Sequence, residues 1–325
     1  AKNRLFSAGG ESPNQISYSK LFVSGEQVSF PSAFYQQVPS KGGDITALAE
    51  MDEKVVIFKQ TTIFYLTGDG PNDLGVGTFE ITPVAADVGS LEPESIALTP
   101  DGLMFKSSKG IWLLNRGLQV IYIGDKVELY NSLNVSSAVV VPHLNQVRFT
   151  TLDGTTLVYD HYFKQWSTFT NQPAVAAINW KGIYSYSTTT GEVYQESSSL
   201  TSDNNIPIVP KIGTSWFKLG TISGFQRLQR AIILGEYAGS HRLMVSVYYD
   251  YATSPEETFY YDMDSFEIPY GDGSEPYGDQ GEFFGISDGL YQFEIKVKKQ
   301  RCQAVRFVIS PVFPDSTGTA AFKLT

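Results

Sequence analysis

Groups able to do chemistry are few and scattered along the chain. The histidines are His143, His161 and His241, and only His161, in the stretch YDHYF, stands beside an acid, Asp160. Neighbours on a strand point to opposite faces, so the two do not make a dyad by adjacency. There is no G-x-S-x-G elbow, no H-E-x-x-H pair and no Walker loop. A glycoside-cleaving carboxylate pair has candidates in Asp250, Asp262 and Asp264, which sit near tyrosines at no special spacing. The stretch SSKGIWLL (107–114) shares Ser107, Gly110 and Trp112 with the turn of sialidase-type propellers, but Lys109 stands where an acid is wanted. Two acidic glycine loops, 68–77 and 271–282, offer oxygen ligands without the spacing of a calcium loop. Cys302 is the only cysteine, which excludes an intrachain disulfide and multi-thiolate zinc sites. The expectation is a chain that is not an enzyme, with no catalytic, cofactor or metal residues.

The elements that would position any site read as strands. Of 325 residues, 42% are hydrophobic, 14% aromatic and only 18% charged, the profile of a packed protein rich in strand-forming Tyr and Phe. Short apolar runs alternate with turn residues, an all-β signature. LEPES (91–95) is the one place where a helical turn is expected. Four stretches repeat a strand–turn–strand–turn–strand order: 45–66, 95–114, 137–159 and 174–195. Their first turns fall at Glu53-Lys54, Asp101-Gly102, Asn145-Gln146 and Lys181-Gly182, and the second strands start at Val55, Leu103, Val147 and Ile183. Subtraction gives periods of 48, 44 and 36, around the length of a propeller blade. Fourth strands are expected at 79–84, 118–124 and 163–169, and residues before 45 supply part of another blade. The competing architecture is an irregular β-sandwich.

Residues 198–215 are rich in Ser, Asn and Pro and read as a linker. The predicted organisation is 1–200, propeller-like repeats that need not close a ring by themselves, then 201–325, an antiparallel β-sandwich of jelly-roll type. In the second part, 227–237 and 242–251 read as one hairpin and 291–310 as another, turning near Lys299–Cys302. Alternation puts Leu243, Val245, Val247, Tyr249 and Tyr251 on one face, and Tyr291, Phe293, Ile295 and Val297 on one face of the other run. Tyr248 and Asp250 point the other way. With Arg227 and Arg230 they are the candidate subunit-interface residues, since Tyr and Arg are enriched at interface hot spots.

Formal net charge is −10, from 24 basic and 34 acidic residues. That disfavours tight nucleic-acid binding, yet suits a wall past which DNA must slide. No apolar run approaches the ~20 residues that cross a bilayer, no signal peptide opens the chain, and it starts with Ala, not Met, as a processed, tagged or partial sequence would.

Residues 43–73, 98–124, 146–171 and 224–237, in that order, resemble the tail-nozzle or tail-stabilisation proteins of short-tailed bacteriophages. The resemblance implies a propeller followed by a sandwich, in a homo-oligomeric ring, a hexamer, around the DNA exit channel of the virion tail. Contacts with other tail or adaptor proteins are expected with it, while the acidic charge and the lack of a long apolar run lead us to expect no specific hold on DNA and no membrane anchor. Two further classes fit the same pattern: a carbohydrate-binding or glycoside-cleaving propeller with an accessory sandwich, and a scaffold propeller of host origin.

Overall fold

The structure, a computed structural model, describes residues 1–72, 76–197, 200, 202–203, 206–218, 226–237, 241–263, 289–299, 301–312 and 322–324. It is all-β and divides into two compact units, Ala1–Ser197 and Ser198–Thr325.

The first unit is a series of antiparallel sheets in which consecutive strands pair. They are β1 (Phe6–Ala8), β2 (Gln15–Tyr18) and β3 (Tyr35–Gln37); β4 (Ile45–Met51), β5 (Lys54–Lys59), β6 (Thr62–Thr67) and β7 (Glu80–Ala86); β8 (Ala97–Thr99), β9 (Gly102–Ser107), β10 (Gly110–Asn115) and β11 (Val120–Tyr122). Then come β12 (Val135–Val141), β13 (Gln146–Thr151), β14 (Thr156–Asp160) and β15 (Gln165–Phe169), and finally β16 (Ala176–Trp180), β17 (Ile183–Ser187) and β18 (Val193–Gln195). Each is a meander, the arrangement of propeller blades, and the expected fourth strands are β7, β11 and β15. The helical turn at 91–95 is a short 3-10 turn, Pro93–Ser95.

The sequence makes these sheets for local reasons. Asp52 and Glu53, at φ +50° and +61°, form the two-residue loop between Met51 and Lys54, and Lys181 with Gly182 does the same between Trp180 and Ile183. Two positive φ values in a row give the turn whose twist matches a hairpin. Gly102 is required: at φ +141°, a Cβ there would meet the Leu114 carbonyl oxygen at 2.1 Å. First strands are short on bulk (Ala47, Ala49, Ala97, Ser137, Ala138), and they contact one another: β1 with β4, β8 with β12, β12 with β16. The second strands β5 and β9 carry near-continuous apolar runs because sheets cover both their faces. Val55 and Ile57 pack with Ile16 and Tyr18 of the sheet before; Val56 and Phe58 pack with Leu103 and Phe105 of the sheet after. Met104, Ile111 and Leu113 meet Val147, Phe149 and Leu157 in the same way.

The fifth sheet departs from the expected register. Counting from Val147, the inward position falls on Tyr184, not Ile183: Tyr184 is buried and Ile183 is exposed. A one-residue slip on a strand exchanges its faces, so Ile183 turns outward with Ile178 and Trp180.

The second unit is a sandwich. Small ladders join β19 (Ser202–Asp203) to β20 (Ile206–Pro207), and β21 (Ile212–Gly213) and β22 (Phe217–Lys218) line one large-sheet strand. β23 (Gln226–Arg227) pairs β28 (Arg301–Cys302), which follows β24 (Ala231–Tyr237), β25 (His241–Tyr249), β26 (Glu257–Met263) and β27 (Gly289–Ile295). β29 (Ala304–Val312) and β30 (Phe322–Leu324) complete it. One sheet runs β21-β29-β25-β26 with β22 also on β29, and the other runs β27-β24-β30.

Neither expected hairpin exists. β24 pairs with β27 and β30, whereas β25 pairs with β26 and β29; likewise β27 and β29 lie in different sheets. Alternation marks a strand with one buried face and is silent about its partner. Here Ile233 and Ile295 from one sheet face Leu243, Val245, Val247, Tyr249, Val305 and Ile309 from the other, and that contact is the core. Phe293, Ile295 and Val297 turn inward as the alternation predicts; the Tyr291 side chain lies outside the described residues. Tyr251 is not on the inner stripe: Asp250 and Tyr251 both take positive φ, +51° and +66°, the strand ends at Tyr249, and Tyr251 is exposed.

Candidate functional site

The four residues predicted as interface groups lie on different elements. Arg227 sits exposed on β23, opposite Arg301. Arg230, before β24, is exposed and pairs with Glu294 at 3.7 Å. Tyr248 is half-buried on the outer face of β25, in register with Arg306. Asp250 is already committed within the chain: one carboxylate oxygen accepts the Gln303 amide at 2.6 Å and the Ala304 amide at 3.3 Å, and Lys299 Nζ lies 3.5 Å away. Its position one residue past the inner-face Tyr249 suggests an outward group, but the positive-φ turn swings it back onto the start of β29.

Asp250 belongs to a cluster of ionisable groups in the second unit. The Tyr249 hydroxyl donates to Glu257 at 2.8 Å, and the Lys298 and Lys299 amides donate to the same carboxylate at 2.9 Å each. Lys299 Nζ pairs with Glu256 at 2.9 Å. Burial works to raise the Glu257 pKa, but the two amides and the tyrosine hydroxyl outweigh it and hold the carboxyl below its usual range. Asp250 is depressed in the same way, against its own burial, by the Gln303 and Ala304 amides. Burial, then the Glu257 contact, pushes the Tyr249 phenol up, and burial pushes the Cys302 thiol up. Each acceptor is spent on tying β25, β26 and the 298–304 segment together.

Asp250 and Asp262 cannot act as a glycosidase pair. Asp262 stands opposite Arg242 and is ion-paired with it at 2.7 Å, eight residues along β25 from Asp250. At ~3.3 Å per strand residue that is roughly 25 Å, far beyond the ~5–9.5 Å such chemistry uses. Asp264 and the 271–282 loop lie outside the described residues, as does part of 68–77. His143 is exposed on a 3-10 turn, and His161 lies in the β14–β15 turn, its amide bonded to the Asn145 carbonyl. The His241 side chain lies outside the described residues. No group of three potential metal ligands occurs among the described residues. Lys109, in the sialidase-like stretch, is ion-paired with Asp87.

The first unit spends its cations at the junctions between sheets. Lys59 is buried; its Nζ donates to the Pro39 carbonyl at 2.6 Å, in the link between the first and second sheets, and stands 5.9 Å from the Phe64 ring. Lys106 is buried and donates to the Asn131 carbonyl at 2.8 Å, in the link to the fourth sheet. Burial lowers the pKa of both, against Asp44 for Lys59 and Glu92 for Lys106. Arg148, the largest fully buried side chain, forks onto Glu196 at 2.7 and 3.2 Å, with its guanidinium 4.6 Å from the Tyr184 ring and 5.2 Å from Phe169. It thereby joins the fourth sheet to the fifth. On the rim, Arg116 pairs with Asp52 and Lys164 with Asp101, each linking a sheet's last turn to the first turn of the sheet before. Each such exposed pair contributes little, about 0–1 kcal/mol. Arg148→Met is expected to lower stability by about 2–3 kcal/mol in urea denaturation, and Arg148→Lys to recover little because it lacks the planar fork.

Sequence reasoning missed these buried cations, and it missed an apolar face. Trp180 is 65% exposed, Ile178 56%, Ile183 40% and Val193 72%, all on the outer side of β16–β18. The opposite side, with Ala177 and Asn179, is hydrogen-bonded to Ser137 and Val140 on β12.

No known family profile and no curated protein matches the chain. Among solved structures it is similar to BamB from Moraxella catarrhalis (11% identity, 59% of this chain and 54% of that one, TM-score 0.42). It is also similar to Sqt1 from Saccharomyces cerevisiae (12%, 59% and 67%, TM-score 0.36) and to the computationally designed Ika4 protein (16%, 49% and 94%, TM-score 0.30). The chain thus spans about half the length of BamB.

Proposed function

We propose that this chain is a structural subunit of the tail of a short-tailed bacteriophage, building a homo-oligomeric ring, six copies by resemblance, around the channel through which DNA leaves. The observation that best supports a mechanical role is where the charged side chains go. Lys59, Lys106 and Arg148 are buried at sheet junctions, and the Arg116–Asp52 and Lys164–Asp101 pairs tie successive sheets. Such contacts tie each sheet to its neighbour, which suits a subunit that works by its shape. The tail assignment itself rests on the resemblance of the four sequence stretches, in order, to the nozzle family.

In this reading shape and repetition do the work. Copies bury complementary sides around a closed ring; Arg227, Arg230 and Tyr248 remain candidates for contacts with copies or with other tail and adaptor proteins. An acidic wall would repel phosphates and let the genome slide. The first strands of the second to fifth sheets, β4, β8, β12 and β16, carry one ionisable side chain, Glu50, so the repelling charge belongs on other surfaces. Electron microscopy of phage particles with antibody against this chain tests the reading: label at the tail is the expected result, and label confined to the head or absent from particles contradicts it. Exposed Tyr162 and Phe163, stacked edge-on at 4.9 Å, suit the sugar-binding alternative, which a glycan-array signal would favour.

A further inference from the structure

We infer that the outer face of β16–β18 on one copy packs against the 20–30 loop of the next copy. This rests on the ring reading and gives it a contact surface. The face is built like those that bury internally. Forward-facing residues of earlier second strands, Val56 and Phe58, then Met104, are covered by the following sheet. Ile178, Trp180, Ile183 and Val193 occupy the same side of the fifth sheet and are exposed. Together they present on the order of 450 Å² of apolar surface.

The matching surface is the excursion between β2 and β3. It is closed by the Lys20 amide on the Ser29 carbonyl (2.9 Å) and turned by Glu26 on Val23 (3.1 Å), so it is a shaped loop. Phe22 is 55% exposed, Val23 49%, Val28 47% and Phe30 45%, again on the order of 400 Å². Joined with their polar margins, the two surfaces approach the ~1,000 Å² a specific interface needs. Charge is complementary: Lys181 follows Trp180 at the tip of the face, and Glu26 sits at the tip of the loop. Because the two surfaces differ, the contact is head-to-tail, the kind that closes a ring.

Sedimentation of the full chain at micromolar concentration tests the contact. Trp180→Ser is expected to weaken self-association at least 30-fold while far-UV circular dichroism stays unchanged. Lys181→Glu is expected to weaken it about fivefold, and adding Glu26→Lys to the same chain to restore it. Rings unaffected by Trp180→Ser, or a charge reversal that Glu26→Lys fails to rescue, would overturn this contact and leave the ring reading standing. A wild-type chain that stays monomeric overturns both.

Discussion

Phe58→Ala is expected to destabilise the first unit by about 3–4 kcal/mol. The side chain is fully buried on the forward face of β5, its ring 5.0 Å from Phe105 at 62°, among Met51, Ile63, Leu103 and Leu114. Truncation removes the aromatic contact and leaves a hole between two sheets. Neither sheet can collapse into it without disturbing its other neighbour, since β5 also packs backward on Ile16 and Tyr18. Amide exchange would locate the effect: protection of β4–β10 falls, while that of β25 and β29 holds. A loss under 1 kcal/mol, or an equal loss in both units, would contradict the account of sheet-to-sheet packing.

Glu257→Ala is expected to cost the sandwich about 2–4 kcal/mol, because it strips acceptors from the Tyr249 hydroxyl and from the Lys298 and Lys299 amides at once. Glu257→Gln keeps an acceptor and should cost less. The acid response follows from the same cluster. Glu257 and Asp250 both have folded pKa values below their ordinary ones, so between the two values the unfolded chain binds more protons. Their stabilisation is complete above the ordinary carboxyl range near pH 4 and is lost as pH falls through the lower folded values. Urea midpoints of the second unit should hold from pH 7 to about 5 and drop below pH 4, and Glu257→Gln should flatten that drop. An acid limb unchanged in Glu257→Gln would show the carboxylate is not the group that titrates.

Much of this was legible in the chain. Turns at Asp101-Gly102 and Asn145-Gln146 carry residues that tight loops need, so the strands that follow, expected from Leu103 and Val147, begin one residue earlier, at Gly102 and Gln146. The stripe Leu243, Val245, Val247, Tyr249 was legible because burial on one face leaves a period of two. Partnership was not: 231–237 and 241–249 face one another across a core, and alternation reads the same whether two strands share a sheet or oppose each other. Buried Lys59 and Lys106 were hidden because their acceptors are backbone carbonyls, which leave no mark in sequence, and Arg148 because its partner Glu196 lies 48 residues further along the chain. One trace exists. The dipeptide Phe-Lys recurs at 58–59 and 105–106, 47 apart, against 48 between the strand starts Val55 and Leu103. That single residue sends Lys59 backward and Lys106 forward, each into a different junction. The same arithmetic at the fifth sheet exposes Ile183 and creates the face assigned to the neighbouring copy.

The central claim is that the chain works through rigid shape joined to its own copies. Light scattering of the purified chain at micromolar concentration tests it most directly. A single species at six times the 35.9 kDa chain mass, about 215 kDa, is the result predicted; a persistent 35.9 kDa species across that range would contradict it.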